Sequence, residues 1–211
     1  MKSKIVIGYY NFADIVTMLG LMCGILACFL SPAHPVIAMA LLALAALCDS
    51  MDGKIARANK NRTKREKFYG VQLDSLCDVV SFGVAPCVVA FNFGYNTAFD
   101  LVLYALFVAC GAIRLANFNT EAAVDTPDLK MTHFTGVPIP FSVMLFPIPM
   151  ILHLLTDGNA GWLFRILFLA IGFGYISRLR IPKPTTKQQL FMIGLETIAI
   201  LILIVIVLVK K

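Results

Sequence analysis

PVIAMALLALAALCDSMDGKIAR, residues 35–57, is long enough to cross a bilayer as a helix, and its last turns carry Asp49, Asp52 and Arg57. A carboxylate at membrane depth costs about 3 kcal/mol or finds a partner, so its presence marks function before it marks structure. Six more apolar runs flank this one, at 13–31, 71–93, 98–118, 137–155, 160–177 and 189–209. The pattern predicts an all-α, polytopic helical membrane protein with about six to seven transmembrane helices around a polar cavity that faces the cytoplasm. The run at 160–177 is short and interrupted by Arg165.

Composition leads to the same class. Of 211 residues, 59% are hydrophobic and 14% charged, whereas soluble domains are about one-quarter charged. A soluble domain of this size must keep much of its surface wet and could not hide so much apolar area. No Gly/Ser linker, low-complexity tract or internal repeat divides the chain, so residues 1–211 read as a single membrane domain.

Charge placement sets the expected topology. Seven of the eighteen Lys and Arg lie between Lys54 and Lys67, four lie between Arg178 and Lys187, and Lys2 and Lys4 begin the chain. The connections at 31–35, 94–100 and 156–161 carry none. The positive-inside rule then places the basic loops and the N-terminus in the cytoplasm, within the cell membrane. Seven spans would leave Lys210 and Lys211 outside, a mild conflict with that rule. Residues 3–12 are expected along the interface ahead of an uncleaved first span, with Tyr9, Tyr10 and Trp162 as interface anchors. The basic clusters flank membrane segments, so the expected partner is a lipid bilayer and no nucleic acid.

The six cysteines (Cys23, Cys28, Cys48, Cys77, Cys87 and Cys110) fall inside spans, without a zinc-ligand spacing, and read as buried thiols. His34, His133 and His153 are scattered and form no site. Pro138 and Pro140 open the fifth run, where they shape a bend.

Four of the twelve acidic residues, Asp49, Asp52, Asp74 and Asp78, stand at the cytoplasmic ends of the second and third runs. On a helix Asp52 lies about 60° from Asp49, one turn on, with Gly53 and Ala56 on the same face and Arg57 at its end. Gly70, Asp74 and Asp78 recur every fourth residue and stack in one stripe. A short loop makes the two spans antiparallel neighbours, so the two stripes can face each other across one cavity. All-oxygen ligation selects a hard cation, Mg²⁺ or Mn²⁺. Four carboxylates can hold two such ions, and two-metal sites clamp the attacking and leaving oxygens of phosphoryl displacement. Arg57 suits a pyrophosphate. Lys60, Arg62, Lys64, Arg65 and Lys67 in the loop would attract an anionic headgroup.

DSMDGKIAR, residues 49–57, followed after twelve residues by GVQLDSLCD, residues 70–78, resembles the signature of the CDP-alcohol phosphotransferase family, D-x2-D-G-x2-A-R, a gap, then G-x3-D-x3-D. Eight fixed positions match in order. The resemblance implies that Asp49, Asp52 and Asp74 bind metal and that Asp78 both ligates metal and deprotonates the incoming hydroxyl. It implies that Gly53, Ala56 and Gly70 line the CDP-lipid site, with Arg57 on the phosphates. It also implies a homodimer.

LDSLCDVVSFGVAP (73–86), IRLANFN (113–119) and FTGVPIP (134–140) resemble the phosphatidylserine synthase branch of that family, with Asn117 where an Arg is common. That branch implies CDP-diacylglycerol and L-serine as substrates, and CMP as co-product. Serine needs a cation for its carboxylate and acceptors for its ammonium. Arg114 and Asn119 are the candidates, with Arg178 and Arg180 as substitutes. Two other readings stay open. Glycerol 3-phosphate or inositol phosphate as acceptor would ask for a tighter cationic cluster, and a cation or proton transporter would use the carboxylates as a pathway.

Overall fold

The computed structural model describes residues 7–124, 133–158, 160–182 and 185–210. Lys2, Lys4, Lys183, Lys211 and residues 3–6 of the expected interfacial segment lie outside these, as does the His133 side chain. Nine α-helices are formed among the described residues: α1 Phe12–Leu30, α2 Pro35–Ala58, α3 Lys64–Asp78, α4 Ala85–Asn92, α5 Ala98–Val124, α6 Phe141–Leu145, α7 Pro147–Leu155, α8 Trp162–Ile176 and α9 Thr186–Val209. A π-helical turn, Val79–Val84, joins α3 to α4 into one span.

Among the described residues, five spans are long and apolar enough to cross a membrane: α1, α2, α3 through α4, α5 and α9. The expected fifth and sixth spans form shorter apolar helices, Phe141–Leu155 and Trp162–Ile176, so length and composition bear out five of the expected six to seven. Proline explains the first of these. Pro147 and Pro149 lack the N–H that would continue the ladder, and the segment divides into α6 and α7 around Phe146. The second begins only after the turn at Asp157 and Gly158, both at positive φ.

Small residues decide how the first helices pack. α1 buries Ala13, Thr17, Gly20, Gly24 and Ala27 on one face, the close-approach stripe that replaces hydrophobic driving force between helices in lipid. A Cβ on Gly24 would lie 2.9 Å from the Ser81 Cα, so α1 and the π turn touch backbone to backbone. The π turn has a local cause. Pro86 cannot donate to the Phe82 carbonyl, which instead accepts from the Ser142 hydroxyl at 3.1 Å.

The connection from α2 to α3 is short, and Thr63 with Glu66 caps α3: Thr63 N–H donates to Glu66 Oε2 at 2.7 Å. α1 packs against both α2 and α3 and, with the short connection, brings the end of α2 close to α3. Elsewhere, β1 His133–Thr135 pairs antiparallel with β2 Arg180–Pro182, placing Thr135 opposite Arg180. Gly136 (φ +78°) extends this seam: a Cβ there would lie 2.5 Å from the Tyr175 carbonyl oxygen, so only glycine fits. Phe82, Phe107, Phe146, Phe168 and Tyr175 fill the core between α5, α6 and α8.

At the far end of the bundle, Arg165 on α8 donates to both oxygens of Asp100 on α5, at 2.7 and 3.0 Å. Lys210 at the end of α9 reaches Asp157 Oδ1 at 2.6 Å and also contacts the Leu154 carbonyl. The lysine that conflicted with the charge rule thus meets an acid at its own end of the helix.

Candidate active site

Asp49 and Asp52 lie on the last turns of α2, and Asp74 and Asp78 on the end of α3, with Asp78 the last residue before the π turn. One carboxylate oxygen from each of Asp49, Asp74 and Asp78 lies within 4.8 Å of the others. Asp52 lines the same small cavity, and its Oδ2 accepts from the Thr17 hydroxyl at 2.5 Å. Asp52 and Asp78 are buried, at 5% and 7% exposed. The two stripes expected from the spacing therefore do face each other.

The chemistry of this group fits a divalent cation. Its donors are all oxygen, as hard cations prefer. Asp74 Oδ1 is buried without a hydrogen-bond partner, a costly state for a carboxylate oxygen unless a cation completes it. Arg114, buried on α5, adds a positive field that acts on Asp78, Asp49 and Asp74.

The glycines do what close approach requires. Arg57 lies over Gly53, with its Nη1 3.2 Å from where a Cβ would stand, and Ala56 is half-buried beside them. A Cβ on Gly70 would lie 2.6 Å from Arg62 Nη2 and 3.1 Å from Asp14 Oδ1. Arg62 Nη2 donates to the Glu66 carbonyl at 3.0 Å, while its Nε is buried without a partner. A guanidinium so placed is ready for an anion.

The two acceptor candidates separate. Arg114 lines a cavity of about 450 Å³ together with Arg178, Arg180, Asn117 and Glu121. Asn119 is instead tied to α3: its Oδ1 accepts from Ser75 at 2.9 Å and its Nδ2 donates to Gln72 at 3.3 Å. The structure thus brings Arg178 and Arg180 to Arg114 and makes Asn119 a link between helices.

Sequence reasoning passed over three residues. Thr17 holds Asp52, and its signal was its place in the small-residue stripe of the first run. Asp14, 2% exposed, accepts from the Asn11 N–H at 2.7 Å and caps α1 above Gly70. Glu121 lies on α5 beyond the expected end of its span at 118.

The sequence model for CDP-alcohol phosphatidyltransferases matches residues 10–210. The chain belongs to the CDP-alcohol phosphatidyltransferase family. A CDP-diacylglycerol–serine O-phosphatidyltransferase of Helicobacter pylori (strain ATCC 700392 / 26695) is 33% identical over 82% of this chain and 73% of its own length. The enzyme of the same name from Saccharomyces cerevisiae is 36% identical over 64% of this chain; the match spans about half, 54%, of that longer protein. An archaetidylserine synthase of Methanothermobacter thermautotrophicus is 30% identical over 87% of this chain and 74% of its own length. No solved structure matches.

Proposed function

We propose that this chain is a CDP-diacylglycerol–serine O-phosphatidyltransferase, working at the cytoplasmic face of the cell membrane. The observation that carries the reading is the convergence of Asp49, Asp74 and Asp78 within 4.8 Å, with Asp52 beside them, at the positions of the family signature. The names borne by its relatives support serine as acceptor. Membrane-spanning helices around this cluster support a lipid substrate.

Residue roles follow from position. Asp49, Asp52, Asp74 and Asp78 hold two divalent cations, Mg²⁺ or Mn²⁺. Bound there, such ions supply charge neutralisation and polarise phosphoryl oxygens. Arg57 and Arg62 take the phosphates of the CDP group, and Gly53, Ala56 and Gly70 let it approach the backbone. Asp78 accepts the proton of the serine hydroxyl. The serine oxygen then forms a bond to the phosphorus that bears the diacylglycerol. The bond from that phosphorus to CMP breaks, and CMP leaves with the electron pair. Arg114, Arg178 and Arg180 receive the serine carboxylate. A homodimer is part of this proposal by family resemblance.

The same three arginines support a second reading, in which the acceptor is glycerol 3-phosphate or inositol phosphate. CMP release by the purified protein, given CDP-diacylglycerol, Mn²⁺ and each acceptor in parallel, separates the two. Release that requires serine and metal is expected. Release only with a phosphorylated alcohol would keep the carboxylate chemistry and discard serine. No release with any of them, from folded protein that binds Mn²⁺, would favour a transporter.

A further inference from the structure

Glu121 stands in the arginine-lined cavity, and a phosphorylated acceptor gives no reason for it. The cavity measures about 450 Å³ and lies beside the carboxylate cluster, since Arg114 lines the one and acts electrostatically on the other. Among the described residues that line it are three guanidinium groups, Arg114, Arg178 and Arg180, and a single carboxylate, Glu121. A phosphate offers only negative charge, so a carboxylate in its pocket would repel it. An α-amino acid offers both signs.

Two hydrogen bonds orient Glu121. Its Oε1 accepts from Asn117 Nδ2, one turn back on α5, at 2.8 Å and from the Thr135 hydroxyl at 3.3 Å. Thr135 is the residue that β1 sets opposite Arg180 on β2. The strand pair therefore spaces an acid and a base across one cavity, and the two hydrogen bonds orient the carboxylate. The helix that carries Glu121 also carries Arg114, two turns earlier.

We propose that Glu121 is the acceptor-specificity residue: it receives the ammonium of the acceptor amino acid, while the arginines receive its carboxylate. This rests on the serine reading above and deepens it. The site then requires both charged groups of a zwitterion at a fixed separation. It discriminates against hydroxy acids, which have no ammonium to meet Glu121.

The test is steady-state CMP release by the full-length protein, wild type and Glu121→Gln, with L-serine or 3-hydroxypropanoate, which is serine without its ammonium. Gln keeps an acceptor oxygen for Asn117 and Thr135, so the local fold survives. Glu121→Gln should raise the serine KM roughly 10- to 100-fold, the range for losing a hydrogen bond to a charged group. The CDP-diacylglycerol KM should not move, and the preference for serine over 3-hydroxypropanoate should shrink by a similar factor. An unchanged serine KM, or an undiminished preference, would overturn the role of Glu121 while leaving serine as acceptor. The wild-type protein gives a second reading that needs no variant. It should use 3-hydroxypropanoate far less well than serine, and equal use would overturn the proposal. A wild-type protein that ignores serine would overturn the parent reading as well.

Discussion

Asp100 and Asp74 are both carboxylates on membrane-spanning helices, and their surroundings are opposite. Asp100, 1% exposed, accepts two hydrogen bonds from Arg165 and two from Thr97, at its N–H (3.1 Å) and its hydroxyl (2.7 Å). Asp74 is surrounded by other carboxylates, and its Oδ1 has no partner. A carboxylate held for architecture is satisfied by the protein itself. One held for chemistry is left for something that must arrive. The two regions lie at opposite ends of the bundle. Asp100 begins α5, and the arginine-lined cavity lies beside its other end, roughly 20–30 Å away at 1.5 Å per residue.

Substitutions should separate these regions by what they change. The largest effect on turnover is expected from Asp78→Asn, which removes the proton acceptor. CMP release should fall roughly 10²- to 10⁴-fold while CDP-lipid binding persists, and wild-type-like turnover would remove Asp78 from the mechanism. Next comes Thr17→Val, which removes the 2.5 Å donor to Asp52. A hydrogen bond to a charged group is worth about 1.5–3 kcal/mol, so turnover or Mn²⁺ affinity should drop roughly tenfold or more. No change in either would make Thr17 a packing residue only.

Asp100→Asn should leave turnover per folded molecule unchanged and lower the melting temperature instead. Breaking a buried pair costs about 3–5 kcal/mol, and the cost here is smaller because Arg165 is 38% exposed. A loss of turnover at constant folded fraction would contradict the division between the two ends. The smallest effect is expected at Asp157. Lys210 beside it holds the Asp157 carboxyl below its usual range. That contribution is present above the ordinary carboxylate range and fades as pH falls through the lowered value. Both groups face solvent, so Asp157→Asn should change neither melting temperature nor activity.

Much of this was legible in the residues because it repeats at helical period. The apolar runs, the Asp49–Asp52 step and the Gly70–Asp74–Asp78 stripe are local patterns, and the short loop between them fixes their pairing. What escaped is non-local. The arginine-lined cavity joins the end of α5 to Tyr175, Arg178 and Arg180 and to Thr135 through a strand pair that three-residue segments do not announce. Asn119 reads from sequence as a substrate contact, yet its neighbours Ser75 and Gln72 on α3 claim its side chain. The two short helices were hidden in apolar runs of spanning length, because hydropathy does not register that Pro147 and Pro149 interrupt a ladder. The π turn could be inferred only from Pro86, and only once the Ser142 hydroxyl was seen on the carbonyl that Pro86 leaves open.

The most direct test of the account is a Mn²⁺ titration of the purified protein in detergent, read by electron paramagnetic resonance. Wild type, Asp74→Asn and Asp100→Asn would be compared at equal folded concentration. Wild type and Asp100→Asn should bind two ions per chain, and Asp74→Asn should lose at least one of them. Equal binding by all three proteins, or no binding by the wild type, would contradict the claim that the carboxylates of α2 and α3 are kept for metal.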